Sequence, residues 1–225
     1  MAFKLSPSSL GLMKDCPRCF WLEQHEKWAR PEGIFPSLPS GMDLVLKKHF
    51  DNFRDKGKLP PELCRHEECG NMKLFGKNDE EKELLNIWRN NRKGIQWKDS
   101  EGNILRGAVD NILVKGEKLI VLDYKTRGYA LKDDTHKHYQ DQLDAYNFLL
   151  RKNGYETEDY GYLLFYYPDK VLETGEVVFE TKLIKMEIDA ENAKKIFDEA
   201  IKLLNGKCPA VHKESVCEWC RLVED

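Results

Sequence analysis

The run Lys118-Leu119-Ile120-Val121-Leu122-Asp123-Tyr124-Lys125 is apolar on both of its alternating sets until Asp123, and so predicts a strand buried on both faces that ends in charges. Ile104 to Val114 reads as a preceding strand, Gly94 to Trp97 as a shorter one, and Tyr160 to Tyr167 and Val177 to Ile188 as two more. Helical spacing is clearest at Met42, Val45, Leu46, His49, Phe50 and Phe53 behind a Ser40 cap. It recurs at Leu84, Leu85 and Trp88 behind an Asn78/Glu81 capping box, and at Ala193, Ile196, Phe197, Ala200, Ile201 and Leu204 between an Asp189 cap and Gly206. A further helix over 136–152 stops at Asn153-Gly154, and Ser6-Pro7 opens a short one that runs toward Cys16-Pro17. Arg30 to Pro39, with three prolines and a glycine, predicts an extended connector.

This order predicts an α/β fold, a mixed β-sheet core flanked by helices. With 225 residues, 41% of them hydrophobic, one sizeable core is expected. The expectation is a single domain over 1–225, with 55–94 a helical and irregular insertion and 206–225 a cysteine-bearing tail. Lys and Arg (36) nearly balance Asp and Glu (39), which excludes a globally basic nucleic-acid binder and leaves room only for a local groove. The N-terminus lacks the apolar segment of a signal peptide, and no run of 18 apolar residues occurs, so a soluble cytoplasmic protein without a membrane partner is expected. Seven cysteines, an odd number, then argue for thiols or thiolate ligands over a disulfide scaffold.

The hairpin brings the chemistry into view. Val114-Lys115-Gly116-Glu117-Lys118 places glycine first in a two-residue turn, a type II′ signal. In that register Lys115 faces Lys118, and Asp110 faces Asp123. Opposed Cβ atoms lie about 4.5 to 5.5 Å apart, where like charges repel, so the pair makes sense if a cation lies between them. Two carboxylates suit Mg²⁺ or Mn²⁺, which can hold a phosphate oxygen and lower the pKa of an attacking water. Lys125 shares a face with Asp123 and falls beside the small Ala108, placed to orient that water or to stabilise charge on a phosphate. The bland alternative is a surface Asp-Lys pair at a solvated strand end.

Gly107-Ala-Val-Asp110, followed after twelve residues by Asp123-Tyr-Lys125, resembles the core of the PD-(D/E)xK nuclease superfamily. Gln142-Leu-Asp-Ala-Tyr146 matches the Q-x-x-x-Y spacing of its RecB-like exonuclease branch, two side chains on one helix face. His49, eight residues after Gly41, resembles that branch's upstream metal-ligand histidine, although a histidine on an apolar face is more often a core residue. Ser6 to Leu22, SPSSLGLMKDCPRCFWL, is similar to the opening of these proteins. The resemblance implies a restriction-endonuclease-like fold and a metal-dependent DNA nuclease. Asp110, Asp123, the Tyr124 carbonyl and His49 would hold Mg²⁺ or Mn²⁺, Lys125 would position the water, and Gln142 and Tyr146 would orient the DNA or the lysine. It further implies action on single-stranded DNA or DNA ends, in repair, recombination or CRISPR adaptation, with protein partners there. Arg18, Arg127 and Lys132 are the expected phosphate contacts, with Tyr129 or Trp21 for base stacking.

Cys16-Pro-Arg-Cys19 and Cys217-Glu-Trp-Cys220 can supply four thiolates to one centre that joins the N- and C-terminal segments, and by spacing zinc and an iron-sulfur cluster are equally good. The chain here resembles CRISPR-associated RecB-like exonucleases and the AddB nuclease domain, which implies a four-iron, four-sulfur cluster. Those proteins use one N-terminal and three C-terminal cysteines, whereas only Arg-Leu-Val-Glu-Asp follows Cys220; Cys19 or Cys208 would replace the missing ligand. Cys64 and Cys69, flanking His66, form a weaker metal pattern. Two rival functions keep parts of this picture: a catalytically silent DNA-binding or assembly module, and a zinc-binding interaction protein. The first leaves the intact acid-x-lysine unused, and the second leaves the acid pairing unexplained.

Overall fold

The computed structural model describes residues 2–212 and 217–223; Met1 and, in the expected tail, 213–216, 224 and 225 lie outside the described residues. In chain order the elements are β1 (Lys4–Leu5), α1 (Pro7–Asp15), α2 (Pro17–Gln24), α3 (Ser37–Asp55), α4 (Pro61–Cys64), β2 (Met72–Leu74) and α5 (Asp79–Trp88). They continue with β3 (Ile95–Lys98), β4 (Ile104–Gly107), β5 (Asn111–Lys115), β6 (Lys118–Thr126), α6 (Gln140–Lys152), β7 (Tyr160–Val171), β8 (Val177–Glu187) and α7 (Ala190–Leu204). A five-stranded sheet has the order β2-β5-β6-β7-β8, parallel only between β6 and β7, and a three-stranded sheet has the order β1-β4-β3.

β6 lies at the centre of the larger sheet and is covered on both faces, which is why it reads as an unbroken apolar run. Leu119 and Val121 face a core built with Leu143, Leu149, Phe165, Ile196 and Phe197, under α6 and α7. Ile120, Leu122 and Tyr124 face a second core with Leu46 and Phe50 of α3, Leu63, Tyr162 and Leu164. Asp123 and Lys125 therefore project to the α6 side. The expected hairpin register holds, with Lys115 opposite Lys118 and Asn111 opposite Leu122.

Three expectations are corrected. The strand over 104–114 is two strands in different sheets, and Ala108 to Asp110 link them. The break follows Gly107, where a Cβ would lie 2.7 Å from the Tyr146 ring, so the bare backbone lets α6 pack against it. α3 begins at Ser37, three residues before the expected cap, because Pro39 falls in the first turn, where its missing N–H is not needed. The stretch 55–94 supplies β2, an edge strand paired antiparallel to β5, and buries Leu63, Cys69, Met72, Leu85 and Trp88. Other signals fall where the pattern put them: Ser6 forms a capping box with Ser9, and Asp189 caps α7. Among the described residues no helix is long and apolar enough to cross a membrane.

Candidate active site and cysteine centre

The two sheets diverge where the chain leaves β4 at Gly107 and enters β5 at Asn111, and a 470 Å³ cleft opens there. Asp43 and Lys47 of α3, Asp110, Asp123, Lys125, Gln142 and Tyr146 line it, together with Arg106 and the start of α1 at Ser6 to Ser8. Asp110 lies one residue before the ladder. Its Oδ2 accepts a hydrogen bond from the Tyr124 N–H at 3.0 Å, so the side chain is fixed against β6 at the level of Asp123. Arg89, at the end of α5, donates to the Asp110 carbonyl at 2.8 Å and is itself held by both oxygens of Asp51.

Asp123 is 2% exposed. Burial, and then the charge of Asp110, push its carboxyl up to about 7, against the opposing pull of Lys125 and Lys47. Lys125 Nζ stands 2.5 Å from Asp123 Oδ2, donates to Gln142 Oε1 at 2.9 Å, and lies over the Tyr139 ring at 4.6 Å. Gln142 in turn donates to the Tyr146 hydroxyl at 2.7 Å. One relay of contacts thus runs Asp123, Lys125, Gln142, Tyr146, and its last member rests on Gly107. Two close carboxylates, one of them buried and costly to ionise, form a donor set that fits a hard divalent cation.

The helix α3 presents other residues than the sequence pattern suggests. His49 is not in the cleft; its Nε2 lies 2.9 Å from Glu62 Oε1, and its ring packs edge-on against Phe50 and Phe53. Lys47, two residues earlier and nearly opposite on the helix, faces the cleft instead, with Nζ 2.8 Å from Asp43 and 3.2 Å from Asp110. The apolar stripe allows either rotation. An i, i+4 Asp43-Lys47 pair flanking Leu46 was the available signal for the cleft-facing residues.

The nucleic-acid residues divide as well. Arg18 is 3% exposed and donates to the Pro209 and Val223 carbonyls and to Cys208 Sγ, which places it in the interior. Trp21 is buried too, with its indole N–H on the Gly206 carbonyl and its ring centroid 3.9 Å from that of His25 at a tilt of 30°. Arg127, Tyr129 and Lys132 are exposed on the segment after β6 and outside the cleft lining. Arg106, inside the cleft, was missed because a lone arginine on a strand carries no pattern.

The four expected cysteines meet in one buried cluster. The Cys16, Cys19 and Cys217 sulfurs all lie within 4.8 Å of one another, Cys19 to Cys217 at 3.7 Å. Cys220 Sγ accepts from the His212 N–H at 3.3 Å, and Arg30 donates to Cys217 Sγ at 3.5 Å. Burial opposes ionisation at Cys217, but the Cys220 and Trp219 N–H groups and the neighbouring thiols outweigh it and bring the thiol down to about 6; burial pushes Cys19 up to about 12. Grouped sulfurs with an arginine against them fit a thiolate-bound metal. Cys208 stands outside the cluster on Arg18. Cys64 is exposed and Cys69 is buried in the α3 core, and among the described residues they do not form a group of three metal-ligating side chains with His66.

The sequence profile of the PD-(D/E)XK nuclease superfamily matches residues 4–224. No curated protein matches the chain. A solved structure described as "Crystal structure of SSO0001" aligns over 93% of each chain at 16% identity, with a TM-score of 0.34, a likeness that carries no argument.

Proposed function

The chain belongs to the PD-(D/E)XK nuclease superfamily, whose members are typically metal-dependent hydrolases of nucleic acid, and from that premise we propose that it is a Mg²⁺- or Mn²⁺-dependent deoxyribonuclease. The observation that carries the reading is the convergence of Asp110, Asp123 and a positionally fixed Lys125 in one cleft. Asp110, Asp123 and the Tyr124 carbonyl would hold the divalent cation, which supplies Lewis-acid stabilisation of the phosphate and a more acidic water. Lys125, set by Gln142 and through it by Tyr146, orients the attacking water and meets negative charge on the phosphate. Arg106, with Arg127 and Lys132 further out, is suited to the DNA backbone, and exposed Tyr129 to a base.

The Q-x-x-x-Y relay supports the RecB-like exonuclease reading, and with it single-stranded DNA or DNA ends in repair, recombination or CRISPR adaptation. The cysteine centre is read as structural. The grouped thiols suit tetrahedral zinc or an iron-sulfur cluster, and the resemblance to cluster-bearing RecB-like nucleases favours the four-iron, four-sulfur form. Metal analysis and visible absorbance separate the two: a brown, iron-containing protein supports the cluster, and one zinc in a colourless protein removes it. For the main claim, labelled single-stranded and duplex DNA are incubated with Mg²⁺ or Mn²⁺ beside Asp110→Asn, Asp123→Asn and Lys125→Ala. Cleavage by the wild type alone is expected. Equal cutting by all four proteins, or by none, rejects the nuclease reading and leaves the silent DNA-binding module.

A further inference from the structure

Each acid of the cleft carries its own ammonium, and the two ammonium groups are held differently. Lys125 is fixed by three partners: Asp123 on its own strand, Gln142 and the face of Tyr139. Lys47 is held by carboxylates, Asp43 one turn earlier on α3 and Asp110 across the cleft. Asp110 Oδ2 accepts from the Tyr124 N–H, which leaves Oδ1, the oxygen facing Lys47, the more open of the two to a cation in the cleft. A divalent ion and an ammonium on the same oxygen repel each other, so each weakens the other's hold. Asp43 gives the displaced ammonium a tether on its own helix, and so keeps it in the cleft.

We infer that Lys47 competes with the divalent cation for Asp110 and, once displaced, serves as a phosphate ligand in the cleft, an inference that rests on the nuclease reading. Metal loading and substrate capture are then linked through one side chain: the ion that takes Asp110 frees the cation that meets the DNA. A lysine that merely braced Asp110 would act with the opposite sign, because its removal would loosen the carboxylate and weaken the metal.

The test is a Mn²⁺ titration followed by electron paramagnetic resonance on the wild type, Lys47→Met, Lys47→Gln and Lys47→Arg, with Asp123→Asn to identify the cleft site as the one it abolishes. The neutral variants are expected to bind Mn²⁺ roughly five- to tenfold more tightly than the wild type, since a positive charge beside the site is gone, and Lys47→Arg to stay near it. Their KM for a single-stranded oligonucleotide is expected to rise several-fold, with Lys47→Arg intermediate. Lys47→Gln keeps a polar tip at the cleft and carries the same expectation should methionine there prevent folding. Neutral variants that bind Mn²⁺ no more tightly than the wild type overturn this inference alone. Tighter Mn²⁺ binding without any DNA cleavage by the wild type supports the competition and rejects the nuclease reading, and a wild type without an Asp123-dependent Mn²⁺ site overturns both.

Discussion

In the cleft, Asp123 of β6 and Asp110, just before β5, lie close together and are balanced by lysines; at the cysteine centre, sulfurs from near the two ends of the chain are packed against one another and against Arg30. The cleft opens to solvent along α1, α3 and α6, whereas the Cys16 and Cys220 side chains are sealed. The cleft keeps like charges close, an arrangement that costs stability and suits a cation. The centre instead joins residues 16 and 220, closing a loop that spans nearly the whole chain. On the proposed reading one cluster serves chemistry and the other holds the ends together, and their responses to substitution should separate.

The largest separation is expected from Lys125→Ala, which removes the cation fixed by Gln142: cleavage should fall by at least about 100-fold while the Tm stays within roughly 2 °C of the wild type. A parallel fall in Tm would show the cleft to be structural as well. Cys16→Ser should behave in the reverse way. It sets a hydroxyl where a sulfur is fully buried and should lower the Tm by roughly 4 to 8 °C, with cleavage at low temperature close to wild type. Differential scanning calorimetry beside the cleavage assay reads both.

Gly107→Ala lies between the two extremes. Its Cβ would press on the Tyr146 ring, so α6 must shift, at a cost of about 1 to 2 kcal/mol, and the relay from Tyr146 to Lys125 should loosen, with a roughly tenfold loss of cleavage. An unchanged rate with a lowered Tm would disconnect that relay from the chemistry. The smallest effect concerns Cys69, which belongs to neither cluster. Burial raises its thiol from 9.0 to about 11, so the folded form prefers the protonated thiol more than the unfolded chain does. Its contribution to stability is whole below pH 9 and is lost as pH rises from 9 through 11, about 1 kcal/mol by pH 10. Urea titrations of the wild type and Cys69→Ala at pH 8 and pH 10 should show a shallower alkaline loss in the variant.

Local chemistry is what the sequence by itself determined. The Gly116-Glu117 turn sets the pairing of β5 with β6, and alternation along β6 puts Asp123 and Lys125 on one face, because both follow from backbone geometry within a few residues. Spacing of four on α6 likewise aligns Gln142 with Tyr146, and the two CxxC pairs announce a shared sulfur centre. The rotation of α3 was decided only by packing. Leu46 and Phe50 seat on Tyr124 and Leu122 and turn Lys47 toward the cleft and His49 toward Glu62, a choice between faces that lie beside the same apolar stripe. Packing also took Arg18 and Trp21 into the interior, where the C-terminal segment covers them, and split the strand at Gly107, where α6 needed the space. Each of these outcomes depends on a partner distant along the chain, and periodicity records how a residue relates to its neighbours, not which distant surface will meet it.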